Sequence, residues 1–266
     1  MSNDNSSNGR RKYSRFRFVS EPLTSITHND EIRKPDFPFA NDVLTRRYPV
    51  RALRYWWLNA AIAEEAARLP APPAIADIGC DTGLIKRFVL PIEGARWTGL
   101  DLDISRPGVE QAKYDELHQC DFDRRLPLED GAFDIVIFSH VLEHLPRPEF
   151  TMAEAARILK PGGMMLLATP TAPKIVAKFV EKKFNRQLRE GTRRIGQHIH
   201  CFWPARLRQM AENAGLEVEF SAGSAVIRKR NSRLEDHAAW IRLNQIAAGL
   251  FPSIGREVCL QLRKPA

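Results

Sequence analysis

From Tyr48 to Leu69 apolar residues return every three or four positions along YPVRALRYWWLNAAIAEEAARL, and Pro70, Pro72 and Pro73 end the pattern. That spacing predicts a helix ahead of the core. The rhythm then shortens. AIADIG (74–79) is a brief apolar run closed by glycine, CDTG follows, and LIKRFVL returns to helical spacing before Pro91, which together read as strand, tight turn and helix. ARWTGLDLD (95–103) predicts a second strand, a short helix near 106–114 leads to a third at about 116–121, and AFDIVIFSH (132–140) is a fourth, strongly apolar. HLPRPEFTMAEAARILKPGG carries a helix closed by a Pro-Gly-Gly turn, and MMLLATP (164–170) is a fifth strand. WPARLRQMAENAG (203–215) is a helix, LEVEFSA a strand, 232–250 a further helix and GREVCLQLRK a last strand. Strands alternating with helices, several apolar throughout, predict an α/β, doubly wound, mostly parallel sheet covered on both faces.

Composition agrees with a water-exposed globular chain: 266 residues, 44% hydrophobic, 27% charged and a mean hydropathy of -0.34. No apolar run approaches the roughly 20 residues of a membrane span. The opening MSNDNSSNGRRKYSRFRF is polar and then basic, without the apolar centre of a secretory signal, so a cytoplasmic location is expected. Cys80, Cys120, Cys201 and Cys259 form no CxxC pair, and no metal is expected.

The net charge of +8 is concentrated in two places. Residues 1–51 hold ten Lys/Arg against six Asp/Glu, and residues 173–194 hold eight against two. We read 1–47 as a basic, partly disordered arm and 48–266 as the folded domain. In the second segment Lys174, Lys178, Lys182 and Arg186 recur every fourth residue, as do Val176, Val180, Phe184 and Leu188. One helix would then show a basic and an apolar stripe, suited to a lid over a pocket or to an anionic membrane surface. The rest of the chain is near neutral, which disfavours a nucleic-acid partner. No feature indicates an oligomeric state.

In doubly wound sheets ligands lie at the carboxyl ends of the strands, so the strand ends carry the chemistry. The first ends in Asp77-Ile78-Gly79-Cys80-Asp81-Thr82-Gly83, whose glycines permit a tight turn and close approach to a ligand. The dinucleotide pattern GxGxxG fails here, because Asp81 and Leu84 replace its second and third glycines. The second strand ends in Asp101-Leu102-Asp103, placing a carboxylate where ribose hydroxyls can donate to it, and the third runs into Cys120-Asp121-Phe122, suited to an exocyclic amine. Three such acids at consecutive strand ends point to a nucleoside-containing ligand. His140-Val-Leu-Glu143-His144 fits the H-x-x-E-H pattern of zinc proteases, but His140 ends an apolar strand, so a shared helical face for the two histidines is not expected.

ADIGCDTG, TGLDLD, CDFDRRLPLEDGAFDIVIFSHVLEHL, ARILKPGGMMLLATP and HIHCFWPARLRQMAENAGLEV stand in an order and at a spacing that resemble class I S-adenosylmethionine-dependent methyltransferases, in the broad type 11 group that includes ubiquinone-biosynthesis enzymes. The resemblance covers roughly residues 70–220. It implies a Rossmann-like seven-stranded sheet of order 3-2-1-4-5-7-6 and S-adenosylmethionine as cofactor. By position it assigns Asp77, Gly79, Cys80, Asp81 and Gly83 to the methionine-moiety loop, Asp101 and Leu102 to ribose, Asp121 and Phe122 to adenine, and Ser139 and His140 to the floor beneath the sulfonium. It further implies that 170–200 roofs the acceptor pocket and that His198, His200, Phe202 and Trp203 form its wall. One departure stands out: the family usually has Gly where this chain has Asp81. His140, Glu143 and His144 are the candidates for a base or for orienting the acceptor. The expected function is methyl transfer to a small-molecule or lipid-linked acceptor; an RNA methyltransferase and a non-catalytic cofactor-binding scaffold are the rivals.

Overall fold

The structure, a computed structural model, describes residues 49–193, 196–227, 234 and 237–266. The basic arm expected at 1–47 lies outside the described residues, as does much of the start of the helix expected at 232–250. The helix expected at 48–69 is α1 (Pro49–Ala66), whose Trp57, Leu58, Ala61 and Ile62 bury against Ile75, Ile135, Ile137 and Leu166 of the sheet. The strands are β1 (Ala74–Ile78), β2 (Arg96–Asp101), β3 (Glu116–Gln119), β4 (Phe133–Ser139), β5 (Leu159–Pro170), β6 (Glu217–Gly223) and β7 (Glu257–Arg263). Between them lie α2 (Leu84–Phe88), α3 (Pro148–Ile158), α4 (Lys174–Arg189), α5 (Pro204–Asn213) and α6 (Ala238–Leu250).

The sheet order is β3-β2-β1-β4-β5-β7-β6, as the resemblance implied. The first five strands pair in parallel, and β7 runs antiparallel to both β5 and β6. β4 is apolar on both faces because both are covered: Ile135 and Ile137 face α1 and α2, whereas Val136 and Phe138 face α3 and α5. The order reverses between β1 and β4, so the ends of β2, β1 and β4 stand side by side at the crevice where such sheets bind ligands.

Three elements differ from the sequence reading. The helix expected near 106–114 contracts to one 3₁₀ turn, Glu110–Ala112, held between Pro107-Gly108 and the left-handed Lys113. β3 stops at Gln119, as a short and half-exposed edge strand. β5 starts five residues early, because Gly162 and Gly163 exchange backbone hydrogen bonds with Lys264 at 2.9 and 3.0 Å and the Pro-Gly-Gly turn is drawn into the ladder. The stripes on α4 also resolve differently. Ala177 is its one fully buried residue among the described side chains, and Ile175 and Phe179, outside the expected apolar stripe, are its most exposed large hydrophobic residues, at 73% and 70%.

Candidate active site

The cofactor side is built by the turn after β1. Gly79 adopts φ 72°, and a Cβ there would lie 2.3 Å from Val141 Cγ2; at Gly83, with φ 70°, it would lie 2.1 Å from Ala112 Cβ. Both close approaches fold the loop down over the ends of β1 and β2. Asp81 follows in the left-handed region at φ 48° and donates its N–H to Asp101 Oδ2 at 2.8 Å. Asp101 is buried at the tip of β2, and its Oδ1 also accepts the Asp103 N–H at 3.2 Å.

These groups open on a cleft of about 430 Å³. Of the expected cofactor residues, Gly79, Cys80, Asp81, Asp101, Leu102, Phe122, Ser139 and His140 line it. Asp77, Gly83 and Asp121 do not. Asp77 is fully buried behind the loop, accepting from the Tyr114 hydroxyl at 2.7 Å, and burial with the nearby charges of Asp101 and Asp81 pushes its pKa up to about 7. Gly83 packs against Ala112 and Asp121 stands exposed, accepting the Asp123 N–H at 2.9 Å. Burial raises the Cys80 thiol well above its ordinary value, so it stays protonated. A buried carboxylate at the cleft edge, a glycine turn with no room for side chains and a cleft of this size fit a nucleoside cofactor.

The second half of the site surrounds the end of β4. His140 takes φ 59° and donates its backbone N–H to Ala168 O at 2.8 Å. Its Nε2 accepts from Arg54 Nη1 of α1 and stands 3.3 Å from Glu257 Oε1 of β7, while Arg54 and Glu257 pair directly at 2.9 Å. Because Arg54 can only donate, the ring proton belongs on Nδ1, which faces Glu143 Oε1 at 3.4 Å. Burial, with the charge of Arg54 added, lowers the His140 pKa to about 4, so the ring is neutral. Burial disfavours the Glu257 carboxylate, but the charge and hydrogen bond of Arg54 outweigh it and hold the pKa at about 2.

Glu143 lies in a 3₁₀ turn (Leu142–His144) after β4 and is buried. Thr169 Oγ1 donates to its Oε2 at 2.9 Å, whereas Oε1 accepts no hydrogen bond from the described residues. Burial pushes the Glu143 pKa up to about 7. Around Oε1 stand His140 Nδ1 at 3.4 Å, His144 Nε2 at 3.9 Å and His198 Nε2 at 4.0 Å. His198 arrives because the backbone N–H groups of Ile199 and His200 donate to Glu143 O at 2.8 and 3.1 Å. Burial lowers the pKa of both His144 and His198. Although no metal was expected, ligand atoms of Glu143, His144 and His198 lie within 4.8 Å of one another, a set able to hold a cation.

The expected acceptor wall is only partly assembled. His198 stands against His144, ring centroids 4.7 Å apart, but His200 turns to Glu181 Oε1 at 3.1 Å, Phe202 is fully buried in the core and Trp203 lies beside Arg206. None of the four lines the cleft. Sequence reasoning missed Arg54, Glu257, Thr169 and Arg106. The available signal was a charge inside an apolar pattern: Arg54 on the buried face of α1, Glu257 at the head of VCLQL.

Arg54 and Glu257 are 6% and 4% exposed, so removing one leaves the other charge buried without its partner. Glu257→Gln is expected to lower stability by about 3–5 kcal/mol. A melting temperature within a degree or two of the parent would show that water reaches this pair.

The sheet order and the acid-tipped strands around a glycine turn define a Rossmann-like methyltransferase. A family model described as a methyltransferase domain matches residues 50–220, and the chain belongs to that family. Among curated proteins it is 30% identical over 185 residues to the ubiquinone biosynthesis O-methyltransferase of Dechloromonas aromatica, covering 66% of this chain and 75% of that protein. To the protein of the same name from Xanthomonas axonopodis pv. citri it is 33% identical over 174 residues, covering 59% and 69%. For that of Coxiella burnetii the identity is 31% over 153 residues, covering 54% and 63%, so the chain spans less than two thirds of that relative. Among solved structures, the Burkholderia thailandensis 1,6-didemethyltoxoflavin-N1-methyltransferase with bound S-adenosylhomocysteine superposes with a TM-score of 0.51 at 15% identity, covering 92% of this chain and 89% of that one. The [4+2]-cyclase SpnF superposes with a TM-score of 0.53 at 18% identity, covering 81% and 82%. Likenesses this distant speak for the fold alone. With the family established, the chain is an S-adenosylmethionine-dependent methyltransferase acting on a small-molecule acceptor.

Proposed function

We propose that the acceptor is a phenolic oxygen on a lipid-linked ring, that Glu143 takes its proton, and that the protein meets this acceptor at an anionic membrane surface. The observation that carries the reading is Glu143 Oε1, buried, held by no hydrogen bond from the described residues, and ringed by three imidazoles beside the cofactor cleft. When bound, S-adenosylmethionine supplies a methyl group on a positively charged sulfur. An acceptor phenol, with an ordinary pKa near about 10, needs a base to present its oxygen as a nucleophile. Thr169 fixes one Glu143 oxygen and leaves the other to receive that proton, and the neutral His140 holds the wall between Glu143 and the cofactor floor. The acceptor class draws on the relatives named ubiquinone biosynthesis O-methyltransferase. Cofactor residues are proposed to be Gly79, Asp101, Leu102, Phe122 and Ser139, with Asp77, Asp81, Gly83 and Asp121 in support.

A second reading rests on the trio of Glu143, His144 and His198, which would hold a divalent cation against the phenol oxygen in place of a base. Full activity in excess EDTA supports Glu143 as the base, and loss restored by added cation supports the trio.

No described helix is long and apolar enough to cross a membrane. The surface reading draws instead on α4, where exposed Ile175 and Phe179 stand among Lys178, Lys182, Lys183 and Arg186. Co-sedimentation with vesicles tests it. Binding to phosphatidylglycerol vesicles, none to phosphatidylcholine, and loss in an Ile175→Asp, Phe179→Asp variant are expected. Indifference of the parent protein to anionic lipid would remove the membrane step.

A further inference from the structure

We propose that Arg106 is a strap across the cofactor cleft, and that Asp81 is the acceptor onto which it is drawn when a ribose takes Asp101. The proposal rests on the reading of Asp101 as the ribose ligand. Arg106 lies on the loop after β2 and reaches both walls of the cleft: Nη1 is 2.5 Å from Asp81 Oδ1 and Nη2 is 3.4 Å from Asp101 Oδ1. All three residues line the cleft.

The two ends of the strap are not equivalent. Asp101 is buried and its oxygens already accept the Asp81 and Asp103 N–H groups, so few lone-pair directions remain on the cleft side. Arg106 approaches from that side. A guanidinium only donates, as does a sugar hydroxyl facing a carboxylate, so the two compete for Asp101 Oδ1. Asp81 gives Arg106 the shorter contact, and its side chain is about half exposed, so the cation keeps a partner when the sugar arrives. The backbone at 81 is left-handed, a conformation that glycine adopts freely and Asp or Asn tolerate. Asp is therefore the residue that keeps the turn and adds a carboxylate for Arg106, which accounts for the departure from glycine.

The consequence has a definite sign. Asp81→Asn keeps the turn but leaves Arg106 with Asp101 alone, so the Kd for S-adenosylmethionine and for S-adenosylhomocysteine rises by about fivefold, the scale of a partly exposed ion pair. Arg106→Ala frees Asp101, and the Kd stays level or falls. The double variant returns to the Arg106→Ala value. Calorimetric titration of the full chain measures all four proteins, and the half-exposed side chains leave the fold intact. If the loss in Asp81→Asn persists in the double variant, Asp81 touches the cofactor itself and the strap is overturned. It is equally overturned if Arg106→Ala alone weakens binding. Normal binding by Asp101→Ala would instead refute the ribose assignment beneath it.

Discussion

Replacing Glu143 by glutamine is expected to reduce methyl transfer to a phenol by about 10²–10⁴-fold, the usual contribution of a positioned base. Glutamine preserves shape and can still accept from Thr169 Oγ1, so the variant folds. The stability change has the opposite sign to the activity change. Burial raises the Glu143 pKa in the folded state to about 7 from an ordinary 4.5, so the carboxylate is less well accommodated folded than unfolded. That penalty grows as pH rises from about 4.5 to about 7 and is full above it. The variant should therefore melt at or above the parent temperature at pH 8, while being nearly inactive. At saturating cofactor, which removes the influence of Asp77 behind the cleft, kcat/KM for the acceptor should rise with pH up to about 7 and then level off. This rise should vanish in Glu143→Gln. His140 is not its source, since its pKa is held at about 4. Unchanged single-turnover rates in the variant would show that Glu143 does not take the proton.

The second large effect belongs to Asp101. Two ribose hydroxyls donating to a buried carboxylate make charge-assisted bonds, each contributing about 1.5–3 kcal/mol. Asp101→Ala should therefore weaken S-adenosylmethionine binding by at least about 100-fold. It also removes the acceptor for the Asp81 and Asp103 N–H groups, so a circular dichroism melt belongs beside the titration. A well-folded variant that binds within threefold of the parent would move the ribose elsewhere.

Much of this site was readable before the structure because strand periodicity and strand-end chemistry are local. Apolar runs that end in Asp101 or in Ser139-His140 mark the ligand side of a parallel sheet without reference to distant residues. The sheet order was not local in this sense and came through the resemblance. Arg54 and Glu257 escaped because they are 203 positions apart and meet only when β7 inserts beside β5 and α1 crosses the sheet. The placement of the residues expected in the acceptor wall also depends on distant contacts. His198 and His200 look equivalent in sequence, but the chain there is not a strand: the N–H groups of Ile199 and His200 both donate to Glu143 O, and the bridge of Thr171 to Phe202 follows. His198 thus faces Glu143, whereas His200 meets Glu181, which also accepts from Arg206. On α4 the fourth-residue spacing marked Lys174, Lys178, Lys182 and Arg186, which are exposed, but spacing alone does not say which apolar positions the body covers, and Ile175 and Phe179 are left outside.

The most direct test of the account is a single-turnover reaction of the full chain, preloaded with S-adenosylmethionine carrying a ¹³C-methyl group, on a polyprenylated phenol in anionic vesicles. The account predicts a labelled aryl methyl ether, formed by the parent protein and nearly absent with Glu143→Gln. A labelled methyl group on ring carbon, or bound cofactor with no transfer to any phenol offered, would contradict it.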